Sequence, residues 1–165
     1  MRQQIIRELS QAKQLIIVEH GYLTDRSVIK VLRQLNRSGI TVQVILPDFS
    51  DGAWHSNMES AHKLLKPSFT HPSYKNTIEV FLYPGMIHAK AILIDESTAI
   101  IGSANLTYGS FDHLNETNVI LRKKNRAVEQ LREQFQKDIA LSKRLTPTTI
   151  PRYFLILAWL QRNLI

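Results

Sequence analysis

The sequence predicts a mixed α/β domain, with one β-sheet flanked by helices on both faces. Two observations carry this reading. The first half alternates helical and strand periodicity as helix-β-α-β-α-β, an order that calls for parallel strands joined by crossover helices. The middle then places three strand-like runs in quick succession, close enough for an antiparallel hairpin. No internal repeat or low-complexity run breaks the pattern.

The elements follow in order. Ile5, Ile6, Leu9 and Ala12 share one helical face. Leu15 to Val18 is a short apolar run and predicts a buried strand. Thr24 and Asp25 can cap the next helix, whose apolar face is Val28, Val31, Leu32 and Leu35. Gly39 sits where a helix stop needs a left-handed residue. Ile40 to Leu46 predicts a second strand, closed by Pro47, and 48–54 a loop. A helix is expected over Ser56 to Leu65, then an irregular stretch through Asn76 containing Pro67 and Pro72. Strands are expected at Thr77 to Tyr83, Ile87 to Ile94, Thr98 to Ile101 and Thr117 to Arg122. Val128, Leu131, Phe135 and Ile139 then mark a helix. Residues 146–151 read as a linker to an apolar tail helix, Arg152 to Ile165. The expected division is therefore a catalytic domain at 1–145 and a linker with tail helix at 146–165.

Composition bounds the function. With 44% hydrophobic and 21% charged residues the chain is an ordinary globular one. It has no cysteine, which excludes disulfides, cysteine-based zinc sites and a thiol nucleophile. The net charge of +7 draws anions, nucleic acid and anionic lipid alike. The N-terminal residues carry charges throughout, unlike a signal peptide, and no run approaches the ~20 apolar residues of a membrane span. A cytoplasmic protein, alone or peripherally bound at a membrane, is the expectation. For the tail helix, apolar nearly all round, burial on its own domain or in a dimer interface is favoured over membrane contact.

The chemistry concentrates between His88 and Glu116. Strand periodicity puts His88 and Lys90 on one face and Ala89, Ala91, Leu93 and Asp95 on the other. A neutral imidazole can attack phosphorus while a neighbouring ammonium holds the anionic oxygens. Asp95 has the wrong parity to join them and opens a turn, so it is expected to pin the hairpin or adjacent backbone. Gly102 permits close backbone approach, and Ser103 and Asn105 offer short polar donors for a phosphate. Glu116 is the candidate carboxylate that orients His88. His20, His55, His62, His71 and His113 show no ligand spacing.

The order H-x-K-x4-D-x6-G-S-x-N, formed by His88, Lys90, Asp95, Gly102, Ser103 and Asn105, resembles the signature of the phospholipase D superfamily. The resemblance implies the fold of that superfamily and an active site assembled from two motif copies. One histidine would form a phosphohistidine and the other would act as acid and base, with no metal or other cofactor. Only one copy stands in this sequence. A homodimer or a second motif-bearing chain is therefore expected to complete the site. Gly102-Ser103-Ala104-Asn105-Leu106 and the tail, with Phe135, Asp138 and Ser142, resemble the C-terminal half of bacterial cardiolipin synthases. The usual aspartate and arginine after the Asn-Leu pair are replaced by Thr107-Tyr108-Gly109-Ser110. A phospholipid phosphodiesterase or phosphatidyltransferase is the first expectation. The alternatives are a homodimeric nuclease of the same superfamily acting on DNA or RNA, and a non-catalytic partner half.

Overall fold

The computed structural model describes residues 1–50, 52–66, 77–123 and 125–164. The stretch expected to be irregular lies largely outside them, as do His71, Asp51 and the last residue of the tail helix. In chain order the elements are α1 (Arg2–Leu9), β1 (Leu15–His20), α2 (Arg26–Arg37), β2 (Thr41–Pro47), α3 (Trp54–Leu65), β3 (Glu79–Tyr83), β4 (Lys90–Ile94), β5 (Thr98–Gly102), α4 (Tyr108–Asp112), β6 (Asn118–Arg122), α5 (Arg126–Leu141), β7 (Lys143–Leu145) and α6 (Leu155–Leu164).

The strands form one seven-stranded sheet in the order β6-β5-β4-β1-β2-β3-β7. β1, β2 and β3 are parallel, as the alternating first half requires, and every other pairing is antiparallel. Strand parity sorts the two cores. Ile16, Val18, Val44, Ile92 and Ile94 face Leu9, Val28, Leu32 and Met58 of α1, α2 and α3. Ile17, Ile45, Phe81, Ala91 and Leu93 face Val128 and Phe135 of α5. The helices thus cover both faces, as expected.

Local signals act where the sequence placed them. Asp25 caps α2, its carboxylate accepting from the Ser27 and Val28 amides at 2.9 and 3.0 Å. Gly39 takes φ +95° after that helix. Asp95 stands in the β4–β5 turn, and its carboxylate accepts from the backbone amides of Lys13, Gln14 and Leu15. Its own amide donates to the Leu15 carbonyl at 2.7 Å. Asp95 therefore ties the hairpin to the start of β1, the structural role its parity implied.

Four elements depart from the sequence reading. The strand expected from Ile87 pairs only from Lys90, because β1 ends at His20 and the chain turns away at Gly21. α4 and β7 were not expected: the first is a five-residue turn of helix capped by Thr107, the second a three-residue edge strand. The tail helix seats only Ala158 fully. Leu155, Ile156, Trp159 and Leu164 are exposed, so the expectation of a buried helix holds for one side alone. Among the described residues no helix is long and apolar enough to cross a membrane.

Replacing Asp95 with alanine is expected to lower stability by about 2 kcal/mol, because three amides lose a charged acceptor. Thermal unfolding should shift down by roughly 4–8 °C. An unchanged melting temperature would show that β4 is held to β1 without this contact.

Candidate active site

The candidate residues gather at one edge of the sheet, past the C-terminal end of β1. Pairing sets His20 opposite Lys90 and Gly102 opposite Asn118. Ala91 pairs with Ile101, so the same register carries Lys90 toward Gly102. His88 stands just before this row and is exposed. Lys90 is partly buried, and its ammonium donates to the His88 carbonyl at 3.0 Å and approaches His88 Nδ1 at 3.4 Å. An ammonium can only donate, so Nδ1 is on the accepting side of this contact.

Burial pulls the Lys90 pKa down, and the negative charge of Glu116 works against that shift. Glu116 is thus within electrostatic reach of Lys90, while among the described residues no hydrogen bond joins it to His88. Thr117, its neighbour, is locked to Ser103: the Ser103 amide donates to the Thr117 carbonyl, and the Thr117 amide donates to Ser103 Oγ, both at 3.0 Å. The Ser103 hydroxyl is therefore already engaged in holding the loop that carries Glu116. Gly102 has no room for a side chain. A Cβ there would lie 2.2 Å from the Thr117 carbonyl oxygen and 2.0 Å from Asn118 Oδ1. Asn105 keeps a buried Oδ1 with no hydrogen-bond partner. It lines a cleft of about 320 Å³ with Tyr22, Tyr108, Leu114 and Leu164 among its walls.

A segment that the sequence reading left unassigned holds the halves of the motif together. The loop after β1 runs between residues 87–89 and Leu106. The Gly21 amide donates to the Ala89 carbonyl, Leu106 donates to the Tyr22 carbonyl, and Thr24 and Asp25 both donate to the Leu106 carbonyl. Asn57 of α3, fully buried, braces the loop from behind. Its Nδ2 donates to the Gly21 carbonyl at 2.7 Å and its Oδ1 accepts from the Leu23 amide at 3.0 Å. A Cβ on Gly21 would lie 2.6 Å from the Ile87 carbonyl oxygen. Two signals pointed here: a glycine three residues beyond the apolar run Leu15 to Val18, and an asparagine at helical spacing with Ala61 and Leu64 of α3.

Two buried titratable groups underlie the site. His20 has its pKa pushed down to about 3, first by burial and then by the charge of Lys90. It is neutral at ordinary pH, which leaves Lys90 as the cation of the row. On the opposite face Asp138 of α5 accepts from Gln134 through both carboxylate oxygens and stands within electrostatic reach of the buried Glu19. The Glu19 pKa is pushed up to about 7, first by burial and then by the charge of Asp138.

The comparisons with known proteins define the class first. The fold is that of the phospholipase D family. The structure matches that of a phospholipase D family member, Nuc from Salmonella typhimurium, with a TM-score of 0.73 at 17% identity, over 88% of this chain and 90% of that one. It matches phosphatidylserine synthase from Haemophilus influenzae with a TM-score of 0.78 at 14% identity, over 98% of this chain and 41% of that one. Residues 5–139 match the family described as cardiolipin synthase, PLD-like domain, and the chain belongs to that family. Among curated relatives, cardiolipin synthase 1 of Staphylococcus epidermidis is 31% identical over 140 residues, 84% of this chain. The chain spans only 27% of that relative's length.

The raised Glu19 pKa fixes a pH dependence of stability. The fold keeps a proton that the unfolded chain releases near pH 4.5, so the stabilisation is present at low pH and is lost as pH rises toward 7. Glu19→Gln mimics the protonated form. At pH 8 it should be more stable than the native chain, by up to about 3 kcal/mol, with the gap closing by pH 4. Melting curves of both proteins across that range measure this, and a native chain favoured at pH 8 would place an ionised Glu19 in the fold.

Proposed function

We propose that residues 1–145 form one half of a metal-independent phosphodiesterase site that acts on phospholipids through a phosphohistidine. The observation that carries this is the pairing of an exposed His88 with a partly buried Lys90 that lies within electrostatic reach of Glu116. In the proposed first step His88 Nε2 attacks phosphorus and the bond to the leaving oxygen breaks. The histidine of a second motif copy protonates that oxygen. Water or an alcohol then attacks the phosphohistidine, gives its proton to the second histidine, and releases His88. Lys90 and Asn105 stabilise the phosphoryl oxygens, where donors placed in advance are worth most. A bound phosphate would draw the Lys90 ammonium away from Nδ1; the imidazole would then carry its proton on Nδ1 instead of Nε2, donating it in a hydrogen bond to Glu116, and Nε2 would be free to attack. Gly102 and Ser103 keep the loop bearing Glu116 against β5, and Asp95 acts through the strand register.

The phospholipid reading draws on the family match and on the apolar walls around Asn105. A homodimeric nuclease is the second reading. It is favoured by the net charge of +7 and by a match to Nuc that extends over nine-tenths of that chain. Both readings need a second motif copy, from an identical chain across a two-fold axis or from another polypeptide.

His88→Ala is expected to reduce hydrolysis of bis-p-nitrophenyl phosphate at least about 1000-fold while leaving the melting temperature within a degree or two. Light scattering on the same sample should give a dimer mass if identical motifs complete the site. A chelator should leave turnover intact. Strong inhibition restored by added metal would sink the mechanism.

A further inference from the structure

α6 is amphipathic in the reverse sense for a surface helix. Its polar residues face the protein: Gln161 Oε1 accepts from the Ser56 amide at 3.1 Å, and Arg162, nearly buried, pairs with Glu59 of α3. Its large apolar residues face outward. Ile156 is 76% exposed, Trp159 56% and Leu164 82%. The inner face therefore anchors the helix, and the outer face is left for something apolar.

The helix borders two other features. Next to it lies a groove of about 480 Å³ between α2 and α3, lined by Arg26, Lys30, Arg33, Arg37 and Lys66, with Lys63 paired there to Glu59. The four α2 cations recur at helical spacing along one side of that helix. At its other border, Leu164 and Asn163 share the cleft of Asn105 and Tyr22. A basic groove, an exposed apolar helix with a tryptophan, and the candidate active site thus adjoin one another.

We propose that this side of the molecule docks on an anionic phospholipid surface, with the outer face of α6 inserted at the headgroup boundary and the α2–α3 groove set against the acidic headgroups. Apolar insertion and charge attraction are the two contributions that hold a helix in such an interface. The side-by-side placement favours a lipid surface over a second protein chain, since an apolar protein interface does not call for an adjoining band of cations. Docking in this way presents the Asn105 cleft to the lipid layer. The partner rests on the phospholipid reading of the site.

The test uses the full chain and sedimenting vesicles of phosphatidylcholine, with and without one-third phosphatidylglycerol. The chain should bind the anionic vesicles, less so as salt rises, with a blue shift of tryptophan fluorescence. Ile156→Asp with Leu160→Asp, and separately Lys30→Glu with Arg37→Glu, should each weaken binding at least tenfold. Both double variants should hydrolyse soluble bis-p-nitrophenyl phosphate at the native rate, so failure of docking and failure of the chemistry are read separately. Circular dichroism confirms that each variant folds. Three results would overturn the proposal. A folded native chain could ignore anionic vesicles. The α6 variant could lose a dimer mass while keeping vesicle binding, which would make α6 a contact between copies. A single-stranded oligonucleotide could bind in a manner abolished by Lys30→Glu with Arg37→Glu while vesicles do not, which would assign the groove to nucleic acid.

Discussion

The Asp95 carboxylate sets the register on which the catalytic edge depends. By gathering the amides of Lys13, Gln14 and Leu15, it fixes the end of β4 against the start of β1. A slip of one residue would turn every side chain of β4 to the other face. Lys90 would then point toward α5 and Ala91 toward the candidate site. The residue of the motif that stands farthest from the phosphate chemistry thus decides which face the chemistry occupies.

From that register the rest of the edge follows as a row. His20, Lys90 and Asn118 lie along adjacent strands, with Gly102 completing the line. The neutral, buried His20 lies opposite Lys90, and Glu116 partly offsets the desolvation of the ammonium. The parallel half of the sheet lies between α1, α2 and α3 on one face and α5 on the other, while the antiparallel half carries most of the candidate site residues. α5 closes the opposite face through Val128 and Phe135, with Asp138 facing the buried Glu19.

Much of this was legible before any coordinates. Strand parity separated the His88 and Lys90 face from that of Ala89 and Ala91, and Asp95 was assigned to the backbone by the same argument. The parallel core, Gly39 and the Asp25 cap were each readable from local chemistry. What could not be read was the work of long-range contacts. β7 is three residues long, too short to show periodicity, and owes its existence to β3. The β1–α2 loop becomes part of the site because Asn57, far along the chain, holds it there. The apolar composition of α6 argued for burial, but its orientation was set by Gln161 and Arg162, whose partners belong to another helix.

Gly21 and Gly102 make the tolerance of the candidate site to sequence change uneven. At each, the volume that a methyl group would fill is occupied by a backbone carbonyl. Large exposed positions such as Tyr108 can change volume into open solvent. These two cannot gain even one carbon without moving a segment that carries His88 or Glu116. The smallest residues at the edge are therefore its most demanding positions, and a library of variants should accept least change where there is least side chain.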